Sequence, residues 1–250
     1  MNLEEFEGKQ ERIKARIGIL YPSPAILDNE FFLLAPEGVA VHITRVTGIP
    51  PKLSEIERAA EDLAGGENPP LRRGVKKFSM AYACTSGSFG LGVDWNKKLI
   101  STMEEKSGMP VTTSSEATVQ ALKALNIEKV AVLNPYMPSV SEKLEEFLSE
   151  RGFTVVDIRT SFSGSMERLG LELPQKIYKW VKQLNISNAD GVLISCTSYR
   201  ALETVDILES EILKPVVTSI QATMWYALHL AGVGKTVGRF GKLNRISTRF

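Results

Sequence analysis

Short apolar runs alternate with stretches of helical spacing along almost the whole chain, and this alternation constrains the fold more than any other feature. Runs typical of β-strands occupy residues 16–20, 39–46, 77–85 and 109–115, and a second series lies at 129–136, 153–160, 191–198 and 215–219. Helical patterns lie between and after them, at 53–64, 94–108, 116–126, 138–152, 173–185, 199–212 and 220–232. Because strands that alternate with helices form parallel sheets covered on both faces, the sequence predicts an α/β fold.

The two successive series predict two pseudo-symmetric lobes, each built on a doubly wound parallel sheet, rather than one long sheet. We expect the first lobe to comprise residues 1–112 with the closing segment 219–250, and the second lobe to comprise residues 113–218. A chain of 250 residues is long enough to bury a sizeable core without disulfide bridges. Ser114 or Ser115 is the expected N-cap of the helix that starts the second lobe.

Composition and charge exclude several classes of partner. The formal net charge is +1, so no strong field selects nucleic acid or an anionic membrane. No apolar run approaches the roughly 20 residues that a membrane span needs. The first residues, "MNLEEFEGKQERIKAR", lack the apolar segment of a secretory signal. With only two cysteines, these features predict a cytoplasmic protein with free thiols that binds neither nucleic acid nor membrane.

The two cysteines occur in matching contexts, "YACTSGSFG" around Cys84 and "LISCTSYRA" around Cys196. Each follows an apolar run and precedes a Thr-Ser pair and a helical pattern. Ligands bind at the carboxyl ends of parallel strands, where turn N–H groups attract anions and lower a thiol's pKa. A lone cysteine at a strand end is more often a buried packing residue, but the matched pair favours a function over packing or a disulfide. We therefore predict two catalytic thiols, with a small carboxylate held by Thr85, Ser86, Thr197 and Ser198.

Other chemistries fit the sequence less well. The only two histidines, His42 in a strand and His229 on an apolar helix face, are placed as packing residues rather than as bases. No Cys and His cluster has the spacing of a zinc site. Neither a G-x-G-x-x-G turn after a strand nor a G-x-x-x-x-G-K-[ST] loop occurs. The sequence therefore predicts no cofactor and no metal.

The order of these motifs resembles the aspartate/glutamate racemase superfamily, in its branch of maleate cis–trans isomerases, arylmalonate decarboxylases and racemase-like proteins of ectoine utilisation. The resemblance spans residues 16–232. It is carried by "RIGILYPSP", "LAPEGVAVHITRV", "YACTSGS", "KVAVLNPYMPSVSEKLEEFLSERGFTV", "DGVLISCTSYRALETVDILE" and "LKPVVTSIQATMWYALHLAG".

The resemblance implies a cofactor-independent enzyme whose cleft lies between the two lobes, with one thiol from each lobe on opposite faces of a small carboxylic acid. In the racemases one thiolate removes a proton and the other thiol returns one. In the maleate isomerases the first cysteine adds to the double bond before rotation and elimination. By the same resemblance Tyr136 and Ser23 are expected to bind the substrate. Relatives are often dimers, so a homodimer is expected.

Two departures bear on the substrate. An asparagine that contacts the substrate carboxylate in the isomerases is replaced here by Ala25, and a second is replaced by Ser165 or Met166. The decarboxylases have glycine where this chain has Cys84. The expected function is therefore a two-cysteine isomerase or racemase of a small carboxylic or dicarboxylic acid. The alternatives are an arylmalonate-type decarboxylase that uses Cys196 as proton donor, and a non-catalytic protein that binds a small carboxylate.

Overall fold

The structure is a computed structural model that describes residues 13–64, 71, 74–162 and 166–248. Its strands form two four-stranded sheets in which every neighbouring pair is parallel. The first sheet has the order β2-β1-β3-β4 and the second the order β6-β5-β7-β8. The strands are β1 (Ala15–Pro22), β2 (Val39–Val46), β3 (Lys77–Tyr82), β4 (Val111–Thr113), β5 (Lys129–Asn134), β6 (Thr154–Thr160), β7 (Gly191–Ile194) and β8 (Val216–Thr218).

The two sheets share one topology, because the second order repeats the first when it is counted from β5. Every residue of β4, β7 and β8 is buried, as expected for parallel strands that are covered on both faces. The predicted α/β fold with two parallel-sheet lobes is therefore confirmed. The residue boundaries predicted for the lobes stay a prediction.

Helices cover the sheets. They are α1 (Asp28–Leu33), α2 (Leu53–Ala64), α3 (Thr85–Phe89), α4 (Val93–Ser107), α5 (Ser114–Ala124), α6 (Pro138–Glu150), α7 (Pro174–Val181), α8 (Val205–Ile212) and α9 (Ser219–Leu230), with short 3₁₀ segments at Met166–Leu171, Leu202–Thr204 and Leu243–Arg245. Among the residues described, no helix has both the length and the apolar character that a membrane crossing requires.

Several predicted boundaries are wrong, and three of them concern where a helix begins. The third strand ends at Tyr82 rather than at residue 85, because Thr85 already begins α3. The N-cap of α5 is Thr113 rather than Ser114 or Ser115, since the Thr113 side chain accepts a hydrogen bond from the Glu116 N–H. The helix predicted from residue 199 begins only at Val205, after a 3₁₀ turn.

The lobes meet along α5 and α9, which pack against each other. The hydroxyls of Ser114 on α5 and Thr223 on α9 lie 2.9 Å apart in this contact. Both helices begin directly after a strand and both have a threonine N-cap, Thr113 for α5 and Thr218 for α9. This shared geometry brings the carboxyl ends of the two sheets toward one another.

Candidate active site

The two cysteines occupy equivalent places in the two sheets. Cys84 lies two residues beyond β3, and Cys196 lies two residues beyond β7. In each sheet this strand neighbours the first strand of the lobe, β1 or β5, where the strand order reverses. Ligands of open parallel sheets bind at the carboxyl ends of the strands at this point.

Both cysteines line a single cleft, although they come from different lobes. Only 5% of Cys84 and 6% of Cys196 is exposed to solvent. The predicted hydroxyl residues of both loops line the same space, and two prolines and an isoleucine form the rest of its wall. The lining residues are Pro22, Pro24, Ile49, Cys84, Thr85, Ser86, Cys196, Thr197 and Ser198.

The first loop folds into a helix as soon as it leaves the sheet. Cys84 has extended backbone angles and is the N-cap of α3. Its carbonyl accepts hydrogen bonds from the N–H of Ser88 at 3.1 Å and from the Ser88 hydroxyl at 2.8 Å. The Thr85 hydroxyl is buried, forms no hydrogen bond of ordinary geometry within the described residues, and faces the Tyr136 phenol. Because a buried hydroxyl is normally paired, this one still has a hydrogen bond to make.

The second loop holds Cys196 in an unusual conformation. Its φ is +131°, in the half of the Ramachandran map that normally favours glycine. The Cys196 N–H donates to the Ser219 hydroxyl at 3.0 Å, and the Ser198 N–H points at the Cys196 sulfur from 3.4 Å. Strained backbone of this kind persists only where the surroundings fix it, and it concentrates at functional sites.

Hydrogen bonds across the lobes fix the second loop against the first. The Thr197 hydroxyl donates to the Ala83 carbonyl at 2.8 Å, next to Cys84 in the chain. The Tyr21 hydroxyl, at the end of β1, donates to the Thr197 carbonyl at 2.7 Å. The Thr197 hydroxyl is therefore already engaged by protein, whereas the equivalent Thr85 hydroxyl is not.

Burial favours the protonated form of both thiols. Burial raises the pKa of Cys84, whereas the Gly87 N–H and the Tyr82 and Ser86 hydroxyls lower it by a smaller amount. Burial also raises the pKa of Cys196 to about 12, and the charge of Cys84 adds to this rise. Among the described residues, those that line the cleft include no Lys, Arg or His. The donors that they offer to an anion are neutral.

Tyr136 lies beside the cysteines. It follows β5, is 3% exposed, and its hydroxyl lies 3.4 Å from the Ser195 hydroxyl. Burial holds its pKa well above the usual value, and the charge of either cysteine adds to the rise. It is therefore a neutral phenol that can donate a hydrogen bond close to both sulfurs.

Ser23, like Tyr136, is not among the residues that line the cleft. It is exposed, and its hydroxyl lies 3.2 Å from the Val46 carbonyl, to which it donates. Its neighbours Pro22 and Pro24 line the cleft instead. Its contact with substrate stays a prediction, as do those of the other predicted site residues.

Several residues of the site were not predicted as functional from the sequence. Ser219 and Tyr21 orient the second loop, and Tyr82 lies beside Cys84. Tyr21 and Tyr82 lie at the carboxyl ends of strands, where ligands of parallel sheets bind. This position is the sequence feature from which their role could have been predicted. The place of Ile49 at the cleft could not be predicted, because nothing in the sequence distinguishes it from other isoleucines in loops.

The two departures from the isomerase pattern differ in what the structure describes. Ala25 is buried in an apolar cluster with Leu27 and Phe31, so it presents no polar group. Ser165 lies outside the described residues. Met166 starts a 3₁₀ segment, and its side chain is not described.

Comparison with known proteins gives relatives of two kinds. The arylmalonate decarboxylase family profile matches residues 17–244. An arylmalonate decarboxylase from Bordetella bronchiseptica is 32% identical over 162 residues, which is 64% of this chain and 68% of that protein. A maleate isomerase from Alcaligenes faecalis is 26% identical over 244 residues, which is 91% of this chain and 95% of that protein.

The fold has a solved counterpart. A Cys-to-Ser mutant of the Nocardia farcinica maleate cis–trans isomerase, with a covalently bound succinylcysteine intermediate, superposes with a TM-score of 0.80 at 23% identity, covering 92% of this chain and 98% of that one. The predicted branch of enzymes is confirmed by these relatives. With two strand-end thiols in one cleft and a profile match over nearly its full length, the chain belongs to the arylmalonate decarboxylase family.

Proposed function

We propose that this protein is a cofactor-independent cis–trans isomerase of a small cis-dicarboxylic acid, with maleate as the first substrate to test. The observation that carries the proposal is that Cys84 and Cys196, from different lobes, line one cleft. A substrate in that cleft can meet one sulfur on each face. The maleate isomerases among the relatives support this choice of reaction.

Cys84 is the nucleophile in this proposal. Three groups lower its pKa and can donate to its ionised sulfur, namely the Gly87 N–H and the Tyr82 and Ser86 hydroxyls. Cys196 has the Ser198 N–H and the Tyr136 hydroxyl, and the negative charge of Cys84 raises its pKa further. We therefore assign the first ionisation to Cys84 and the role of proton donor to Cys196.

The reaction then needs no other group. The Cys84 thiolate bonds to one alkene carbon, and the π electrons move toward the carboxylate on the other carbon. The Cys196 thiol protonates that second carbon, which leaves a succinyl group on Cys84. After rotation about the new single bond, Cys196 removes a proton from the second carbon, the C–S bond breaks, and fumarate leaves. Both cysteines are back in their starting states.

The substrate carboxylates bind to neutral donors in this scheme. The free hydroxyl of Thr85 and the hydroxyl of Ser86 lie on the Cys84 side, and the Ser198 hydroxyl lies on the Cys196 side. Tyr136 donates to the carboxylate that gains charge when the thiolate adds. Donors that are already oriented stabilise this charge without reorganising during the reaction.

Decarboxylation of an arylmalonate is the second candidate, because the matching family profile and the 32% identical relative are both arylmalonate decarboxylases. Loss of carbon dioxide leaves a carbanion that Cys196 protonates. The apolar wall of Pro22, Pro24 and Ile49 offers a surface for an aryl group. In this reaction Cys84 is dispensable, which separates the two candidates.

One experiment distinguishes them. The wild type and the Cys84→Ser and Cys196→Ser variants are incubated in deuterated water with maleate and with phenylmalonate, and the products are followed by NMR. We expect conversion of maleate to fumarate with deuterium at carbon, and its loss in both variants. Full isomerisation by Cys84→Ser contradicts the two-thiol mechanism. Decarboxylation that needs only Cys196 supports the second candidate, and ligand-dependent thermal stabilisation without turnover indicates a binding protein.

We also propose that the protein works in the cytoplasm as a homodimer. Both cysteines are free, and thiols stay free in a reducing compartment. The dimer rests on the resemblance to dimeric relatives. Light scattering on the purified protein is expected to give the mass of two chains, and the mass of one chain contradicts it.

A further inference from the structure

Tyr82 is the last residue of β3, two positions before Cys84. Its ring is fully buried in the same apolar cluster as the Cys84 side chain. Its hydroxyl has no hydrogen-bond partner within the described residues. If Tyr82 served packing alone, phenylalanine would fill the site without burying an unpaired donor.

The gap left by Gly87 brings the phenol and the thiol together. A Cβ at Gly87 would lie 2.4 Å from the Tyr82 oxygen and 3.0 Å from the Cys84 sulfur. Both atoms therefore lie within 3.0 Å of a single point, and only glycine leaves that space open. The oxygen and the sulfur face the same small space.

The matching position of the second lobe has no such donor. The residue two positions before Cys196 is Ile194, the last residue of β7. The two loops are otherwise alike in their Cys-Thr-Ser sequence and in their place after the strand. Tyr82 is thus an asymmetric feature of a pseudo-symmetric site, and it stands beside the cysteine assigned as nucleophile.

We propose that Tyr82 is a positioning residue whose hydroxyl donates a hydrogen bond to the ionised sulfur of Cys84 and so makes Cys84, rather than Cys196, the thiolate. This inference rests on the proposed function for its catalytic meaning. While the sulfur is a thiol, the hydroxyl has no partner, and when the sulfur ionises the hydroxyl gains one. Consistent with this, burial raises the pKa of Cys84 whereas the Tyr82 hydroxyl lowers it.

The test measures ionisation directly and needs no substrate. In a Cys196→Ser background, the rate of Cys84 alkylation by iodoacetamide is recorded against pH, since only the thiolate reacts. We expect Tyr82→Phe to raise the midpoint of this profile by about one pH unit, because a hydrogen bond to the charged form lowers a pKa. The matched control is Tyr199→Phe, which removes a buried phenol that pairs with Ser161, and its midpoint is expected to stay unchanged.

Two further readouts keep the outcome clear. If Tyr82 is only structural, Tyr82→Phe lowers the melting temperature and leaves the pH midpoint of Cys84 alkylation unchanged. That result overturns the proposal. In the unsubstituted protein carrying ¹³C-labelled tyrosine, the Tyr82 ring carbon next to oxygen is expected to shift with the Cys84 midpoint, and to lose this response in Cys84→Ser. A Tyr82 signal that does not follow the Cys84 titration also overturns it. A shifted midpoint in a protein that leaves maleate unchanged refutes the proposed function while the positioning role stands.

Discussion

At the scale of single residues, the two threonines after the cysteines look equivalent in sequence but have different partners. The Thr197 hydroxyl donates to the Ala83 carbonyl at 2.8 Å, whereas the buried Thr85 hydroxyl is paired with nothing in the described part of the chain. The first is part of the lobe contact, and we propose that the second binds the substrate. The repeated Cys-Thr-Ser sequence predicted both as ligands, because a sequence repeat does not record which hydroxyl the other lobe engages.

Substitution by valine separates these roles. Thr197→Val is expected to lower the free energy of unfolding by about 1–3 kcal/mol, because it leaves the Ala83 carbonyl unpaired. Thr85→Val is expected to keep its stability and to lose at least about tenfold in kcat/KM, because a ligand to the carboxylate is gone. Denaturant unfolding and steady-state kinetics on both variants check this. Equal effects of the two substitutions on stability would contradict the assignment.

The backbone of Cys196 gives a second prediction. Its φ of +131° is strained for any residue with a Cβ, at a cost of about 1–3 kcal/mol. Cys196→Gly relieves the strain, whereas Cys196→Ala removes the thiol and keeps the Cβ. We expect the glycine variant to be the more stable by about 1 kcal/mol, after the greater flexibility of unfolded glycine is included. Thermal unfolding of the pair measures the difference, and a more stable alanine variant contradicts it.

At the scale of elements, the sequence predicted most strands and long helices because their burial patterns are regular. It missed α1 and α3, of six and five residues, because a helix so short shows less than two turns of periodicity. This matters at the site, since the start of α3 at Thr85 makes Cys84 an N-cap rather than a strand residue. The N-cap role of Thr113 could not be assigned from the sequence either, because three other hydroxyl residues lie beside it.

The cap of α9 can be tested directly. The Thr218 hydroxyl accepts a hydrogen bond from the Gln221 N–H, and the Thr218 N–H donates one to the side-chain carbonyl of Gln221. Thr218→Ala is expected to lower the free energy of unfolding by about 1 kcal/mol, and Thr218→Ser, which keeps the hydroxyl, is expected to keep most of it. Denaturant unfolding measures both variants. An alanine variant as stable as the serine variant would show that the cap does not stabilise α9.

At the scale of the whole molecule, buried polar contacts tie the elements around the site together. Glu116 on α5 forms two hydrogen bonds with Arg151 at the end of α6, at 2.7 and 3.0 Å. Both side chains are 17% exposed, so solvent screens this pair less than a surface pair. The alternation of apolar runs predicted the two lobes, but it could not predict these contacts, since their partners are far apart in sequence.

The Glu116 pair makes stability depend on pH. Burial raises the pKa of Glu116, but hydrogen bonds from Arg151 and Gln120 outweigh it, and the pKa lies below its usual value. The unfolded chain therefore binds this proton first as pH falls, so the stabilisation is present above about pH 4.3 and is lost below it.

We expect Glu116→Gln to lower the free energy of unfolding by about 1.5–3 kcal/mol at pH 7, and this deficit to shrink as pH falls below about 4.3. Glu105→Gln, at an exposed position, is the control and is expected to stay within about 0.5 kcal/mol of the wild type. Urea unfolding at pH 7 and at a pH below about 4.3 measures the effect. A deficit that stays constant with pH contradicts the ionic role.

Intact-mass spectrometry with peptide mapping tests the proposal that Cys84 forms a covalent bond to the substrate while Cys196 supplies the proton. Cys196→Ser protein is incubated with maleate, with Cys84→Ser protein treated in parallel. We expect Cys196→Ser to gain the mass of one maleic acid on the peptide that contains Cys84, and Cys84→Ser to gain none. A Cys84→Ser protein that carries the adduct on Cys196, or that still isomerises maleate, would contradict it.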